Sequence, residues 1–168
     1  MDDALRVRAA VWYYREHFGF AKRPPEADLR LMAIALVTVA NGDRQITPQE
    51  RNWLVGYFAA KGYPPEAVKE AMSLAPLEPG KIAEMLQSDV LRTNARILIY
   101  DAIRVASVDG YRPGEEKAVR EMASALGMDE AAVAEVEGLV REEQELRARR
   151  IKILMPEGHP YLDERYDP

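Results

Sequence analysis

The sequence predicts an all-α protein, an internally duplicated helical bundle of about seven helices. Three observations carry that expectation. Apolar residues recur at helical spacing along most of the chain, and no segment alternates apolar and polar with period two. Between positions 90 and 108, Leu91, Ala95, Leu98, Ala102 and Val105 make one apolar stripe while Ile97, Ile99, Tyr100 and Ile103 cover most of the remainder, the pattern of a helix buried on every side. The succession of helix, Asp-containing loop, helix and glycine occurs twice.

Taken in order, Val7, Val11, Tyr14 and Phe18 define a first amphipathic helix from Asp2 to about His17, with Asp2 or Asp3 available as its cap and Gly19 after its end. The Lys22-Arg23-Pro24-Pro25 run is a stiff connector, because proline removes a donor and fixes φ. Leu29, Met32, Ala33, Leu36, Val37 and Ala40 satisfy the helical template over 27–40. A third helix opens at Thr47-Pro48-Gln49-Glu50, where threonine and glutamate three apart form a capping box and proline takes the first helical position. Trp53, Leu54, Tyr57 and Phe58 give it a buried face, and Gly62 with Pro64-Pro65 closes it. Positions 65–87 read as two short helices split by Pro76 and Pro79-Gly80. The central helix follows over 90–108, then a helix from Pro113 to Leu126 capped by Gly127, then a long one that starts behind Asp129 and reaches Arg149 or beyond. Residues 1–150 are expected to make one domain and 151–168, with Pro156, Gly158, Pro160 and Pro168, an extended tail.

With 168 residues and 48% apolar content, one core can form. The absence of cysteine excludes disulfides and thiolate metal sites. The start MDDALRVRAA lacks the profile of a signal peptide, and no apolar run reaches the ~18 residues of a membrane span, so a cytoplasmic protein without membrane insertion is expected. A net charge of −5 argues against nucleic acid as a partner and suits a cation or a basic protein surface.

The repeat is quantitative. Val37, Val39, Ala40 and Asp43 fall on Ile103, Val105, Ala106 and Asp109 at an offset of 66. Pro48, Glu50, Leu54, Tyr57, Gly62 and Val68 fall on Pro113, Glu115, Val119, Met122, Gly127 and Val133 at an offset of 65. The two loop segments, VANGDRQITPQE and VASVDGYRPGEE, with their flanking helices over roughly 28–145, resemble the TerB-like family, which includes the tellurite-resistance protein TerB and the N-terminal domain of DjlA co-chaperones. Asp109-Gly110 with Glu115-Glu116 matches the family pattern better; the first copy has Arg44 in place of its glycine, and the second has Arg112 in place of an aliphatic residue. The resemblance implies an all-helical duplicated domain with acidic residues that bind divalent metal, and roles in stress response or in scaffolding protein assemblies, without catalysis.

On chemistry alone, Asp43, Asp109, Glu115 and Glu116 are the candidate metal ligands, since clustered carboxylate oxygens suit a hard cation such as Ca²⁺ or Mg²⁺. Glu50 belongs to the same set, but its capping-box role accounts for it without a ligand. Arg112 is a poor cap and leaves Glu115 and Glu116 without a reciprocal partner. An EF-hand is excluded, because counting from Asn41 the sixth position is Ile46 and the twelfth Asn52. Asp101, inside the most apolar helix, requires a partner if buried, and Arg104 is the nearest candidate. His17 and His159 lie at opposite ends of the chain, and no Ser-His-Asp order, phosphate-cradling glycine loop or HExxH occurs, so no enzyme is expected. Trp12, Trp53 and the tyrosines fit core spacing. The expected partner is another protein, with a homodimer through Leu139, Leu146 and Ile153 at heptad spacing as the alternative.

Overall fold

In the computed structural model, which describes residues 3–41, 46–74 and 79–161, every regular element among the described residues is a helix. In chain order these are α1 Asp3–Phe18, α2 Glu26–Ala40, α3 Pro48–Ala60, α4 Pro65–Ser73, α5 Pro79–Met85, α6 Asp89–Thr93, α7 Ala95–Ala106, α8 Pro113–Ala125 and α9 Glu130–Leu154. The expected caps at Asp2 and the loop acid Asp43 lie outside the described residues. So does part of the tail beyond Tyr161.

α7 is the axis of the bundle, packed against α2, α8 and α9. Its stripe of Leu98, Ala102 and Val105 is buried, and Ile99 and Ile103 are buried on its other faces. Full burial of such side chains contributes roughly 1.5–3 kcal/mol each, so this short helix anchors the three around it. Nine helices among the described residues stand against the expected seven or so, and one of the two extra arises because the helix predicted over 90–108 is two, α6 and α7, separated at Asn94. Both the backbone N–H and the side-chain amide of Asn94 donate to the Val90 carbonyl, at 3.2 and 2.8 Å. A side chain that competes for the backbone in this way opens the helix locally.

α3 and α8 both open on proline and both run 13 residues. Thr47 and Glu50 make the capping box: Glu50 N–H donates to Thr47 Oγ1 at 3.2 Å, and Thr47 N–H donates to Glu50 Oε2 at 2.7 Å. Asp129 caps α9 by accepting from Ala132 N–H at 2.8 Å. Trp12 departs from the expected core, standing 63% exposed on α1. Two other residues of α1, Ala10 and Tyr14, enter the core instead.

A second polar feature lies inside the apolar core. Lys61, at the end of α3, and Asp101, on α7, are 0% and 1% exposed and joined by a 2.8 Å ion pair. Tyr57 donates its hydroxyl to the other Asp101 oxygen and accepts from Lys61 Nζ at 3.1 Å. Burial first, then the Asp101 charge, holds the Tyr57 phenol well above its ordinary range, so it stays a donor. The Lys61 ammonium also sits over the rings of Phe18 and Tyr57, 5.0 and 4.7 Å from their centroids. The partner of Asp101 is therefore not Arg104, three residues on. Arg104 lies instead among the rings of Trp53, Tyr57 and Tyr100 at 5.2–5.4 Å.

Candidate metal centre

The starts of α3 and α8 and the end of α7 converge. Glu50, Asp109 and Glu115 each present a carboxylate oxygen within 4.8 Å of the other two. Glu50 is 0% and Glu115 2% exposed, so two of the three acids have no access to bulk water. Each acid commits one oxygen to local structure. Glu50 Oε2 accepts from Thr47 N–H, and Glu115 Oε2 accepts from Arg112 N–H at 2.8 Å. Asp109 Oδ2 accepts from the Arg112 guanidinium at 2.8 Å. The remaining oxygens turn toward one another. Among the described residues, no N–H or hydroxyl donor reaches the buried Glu50 Oε1 or Asp109 Oδ1, so the hydrogen bond between Glu50 and Glu115 needs a proton on one of the two carboxyls.

Glu115 is thus half of a capping box after all: its side chain reaches back to the Arg112 amide, while arginine has no acceptor to return the bond. Glu116 lies outside the group of three. It pairs with Arg120 at 3.1 Å, and Arg120 in turn pairs with Glu130 and Glu137. Glu50, which sequence reasoning assigned to capping, performs that task with one oxygen and enters the acidic cluster with the other. The signal for it was the repeat itself, which sets Glu50 on Glu115.

Crowding leaves an electrostatic signature. Burial, a hydrogen bond with Glu50 and the Glu50 charge together raise Glu115 from 4.5 to about 7, against the lowering effect of the Arg112 backbone bond. A folded-state pKa above the unfolded one favours the folded protein fully below the unfolded value and loses that contribution as pH rises through the folded value. Stability of the metal-free protein is therefore expected to fall between pH 5 and 8 by on the order of 1–3 kcal/mol, read from urea midpoints across that window. Glu115→Gln, which stays neutral, should flatten the profile; an unchanged slope would show that the crowding is relieved some other way.

The acids meet the demands of a hard cation in three ways. The donors are all carboxylate oxygens, they converge, and two of them meet no N–H or hydroxyl donor among the described residues. No helix among the described residues is long and apolar enough to cross a membrane.

Comparison with known proteins adds context to this geometry. The family model described as tellurite resistance protein TerB matches residues 29–138. The crystal structure of a tellurite resistance protein from Nostoc punctiforme superposes with a TM-score of 0.83 at 28% identity, covering 96% of this chain and all of that one. Among curated proteins, none matches.

Proposed function

Because the chain belongs to the TerB family of tellurite resistance proteins, we propose that it is a non-catalytic binding module that holds a divalent cation, Ca²⁺ or Mg²⁺, at Glu50, Asp109 and Glu115. The observation that carries this reading is the pair of buried oxygens, Glu50 Oε1 and Asp109 Oδ1, that lie beside a third carboxyl and have no donor among the described residues once Glu115 is ionised. An unsatisfied buried acceptor costs about 1–3 kcal/mol, and a cation removes that cost at both oxygens while offsetting the burial and the Glu50 charge that disfavour ionised Glu115. The repeat supports the same reading, since the two capping glutamates that meet are each other's counterparts at an offset of 65. In this duplicated arrangement each half supplies one helix start, and the ion would hold the halves together.

Metal binding in such a centre supports a docking role, in stress response or in scaffolding of a protein assembly. The ion would fix the loop after α7 relative to the starts of α3 and α8, and a partner protein would read the surface so ordered.

Melting curves at pH 8, where Glu115 is ionised, test the proposal directly. After treatment with a chelator, Ca²⁺ or Mg²⁺ at about 100 times its dissociation constant stabilises a single-site protein by about 2.7 kcal/mol, which for a chain of this size is roughly 5–10 °C. Glu50→Gln with Asp109→Asn should retain the helical circular dichroism and lose the rise. Identical melts for wild type and variant with both ions would overturn the metal reading.

A further inference from the structure

A second feature, independent of the acidic centre, lies at the far end of α9. Every residue from Arg141 to Arg150 is exposed, although one side of α9 stays on the body as far as Arg147, with Glu143 accepting from the Tyr100 hydroxyl at 2.6 Å and Gln144 and Arg147 beside Trp53 and Arg104. Along the same helix Leu139, Leu146 and Ile153 are 48%, 54% and 64% exposed. They recur every seven residues and form one stripe about 21 Å long at 1.5 Å per residue. The charges on either side are sorted by sign. Glu142, Glu143 and Glu145 precede Leu146, and Arg147, Arg149, Arg150 and Lys152 follow it. On the helical wheel Glu142, Glu143, Arg149 and Arg150 flank the stripe.

That sorting distinguishes between possible arrangements of a second copy. A parallel partner would bring Glu142 and Glu143 against their own counterparts, like charge on like. An antiparallel partner centred on Leu146 brings Leu146 onto Leu146 and Leu139 onto Ile153. It also sets Glu142 and Glu143 of each copy beside Arg149 and Arg150 of the other.

We infer that the protein self-associates through α9, two copies crossing antiparallel with Leu146 at the dyad. The same register accounts for a groove in the body. Next to Leu139 lies a cavity of about 300 Å³, lined by Phe18, Ile97, Tyr100 and Val136, with Glu143 and the Arg96–Glu135 ion pair at its rim. The second copy's Ile153 and Leu154 arrive there, and its Arg149, Arg150 and Lys152 arrive beside Glu143. Each apolar end of the stripe is thus covered by the body of the other molecule, which a helix end pairing with nothing but another helix end would not achieve.

Sedimentation equilibrium on the full chain is expected to give twice the 19.0 kDa chain mass at high concentration, with a dissociation midpoint that moves up with salt. Glu142→Arg with Glu143→Arg should return the protein to a single-chain mass, and adding Arg149→Glu and Arg150→Glu should restore the dimer. These residues are exposed, so the helical circular dichroism should be unchanged in each variant, while the melting point falls where the dimer and the Tyr100–Glu143 hydrogen bond are lost. Because the chain has no cysteine, the orientation can be read separately. A mixture of Leu139→Cys and Ile153→Cys proteins should cross-link one to the other in preference to itself. A single-chain mass at every concentration up to about a millimolar, or cross-links only between like variants, would overturn the inference; the first result would leave the stripe to a different protein.

Discussion

Lys61→Met is expected to destabilise the protein by about 3–5 kcal/mol, the usual penalty for removing one member of a buried ion pair and leaving the other charged. The geometry explains the size. Asp101 would retain only the Tyr57 hydroxyl as a direct donor, in surroundings made of Leu98, Ala102 and the rings of α1 and α3. The double change Lys61→Met with Asp101→Leu should recover most of the loss, because a well-packed apolar pair substitutes for a buried salt bridge at little cost. A double-mutant cycle from urea midpoints checks both statements. A single-variant loss below about 1 kcal/mol would mean that water reaches Asp101 when Lys61 is removed.

Gly62→Ala is the second large effect. Gly62 has φ +70, and a Cβ there would stand 2.4 Å from the Ala10 Cβ. The left-handed conformation costs an alanine roughly 1–2 kcal/mol, and the clash adds about 1–3 kcal/mol, as overpacking does. The surroundings cannot yield cheaply, since Arg6 and Arg23 both donate to the Gly62 carbonyl at 2.6 and 2.8 Å and hold α1 against this corner. Gly127→Ala is the control: φ there is +83 with open space around it, so only the conformational cost of about 1–2 kcal/mol applies. Melting points of the two variants side by side should differ by several degrees, with Gly62→Ala the lower. Equal losses would show that α1 gives way and that the clash does not count.

How much of this was legible in the sequence depends on whether a signal is local. The α7 stripe, the Thr47-Glu50 box and the glycines after α3 and α8 are set by residues within one or two turns of each other, and the structure places them as read. Lys61 was not read. A lysine at a helix end usually serves the helix dipole from the surface, and its partner lies 40 residues away. A trace was present nonetheless, because Lys61 stands at the i+7 place of the stripe Leu54, Tyr57, Phe58. Pairing Asp101 with Arg104 failed for the matching reason: the two share a side of α7, but Lys61 from the end of α3 takes the carboxylate and Arg104 sits among three aromatic rings. The split at Asn94 escaped because a competing side-chain amide disrupts a helix only in one rotamer, which composition does not reveal. In the acidic centre, Asp109 and Glu115 could be named from their loop, but bringing Glu50 to them requires that two helix starts 65 positions apart meet in space.

The shielding of Lys61 redraws the boundary of the smallest unit that can stand alone. The ammonium is roofed by Tyr14 and Phe18, both on α1 and both upstream of residue 29, where the family match begins. A fragment trimmed to that match would keep both charges of the pair and discard their lid, letting solvent into the centre of the bundle. The matched segment is thus a recognisable signature without being a self-sufficient building block, and any dissection of the protein has to carry α1 along.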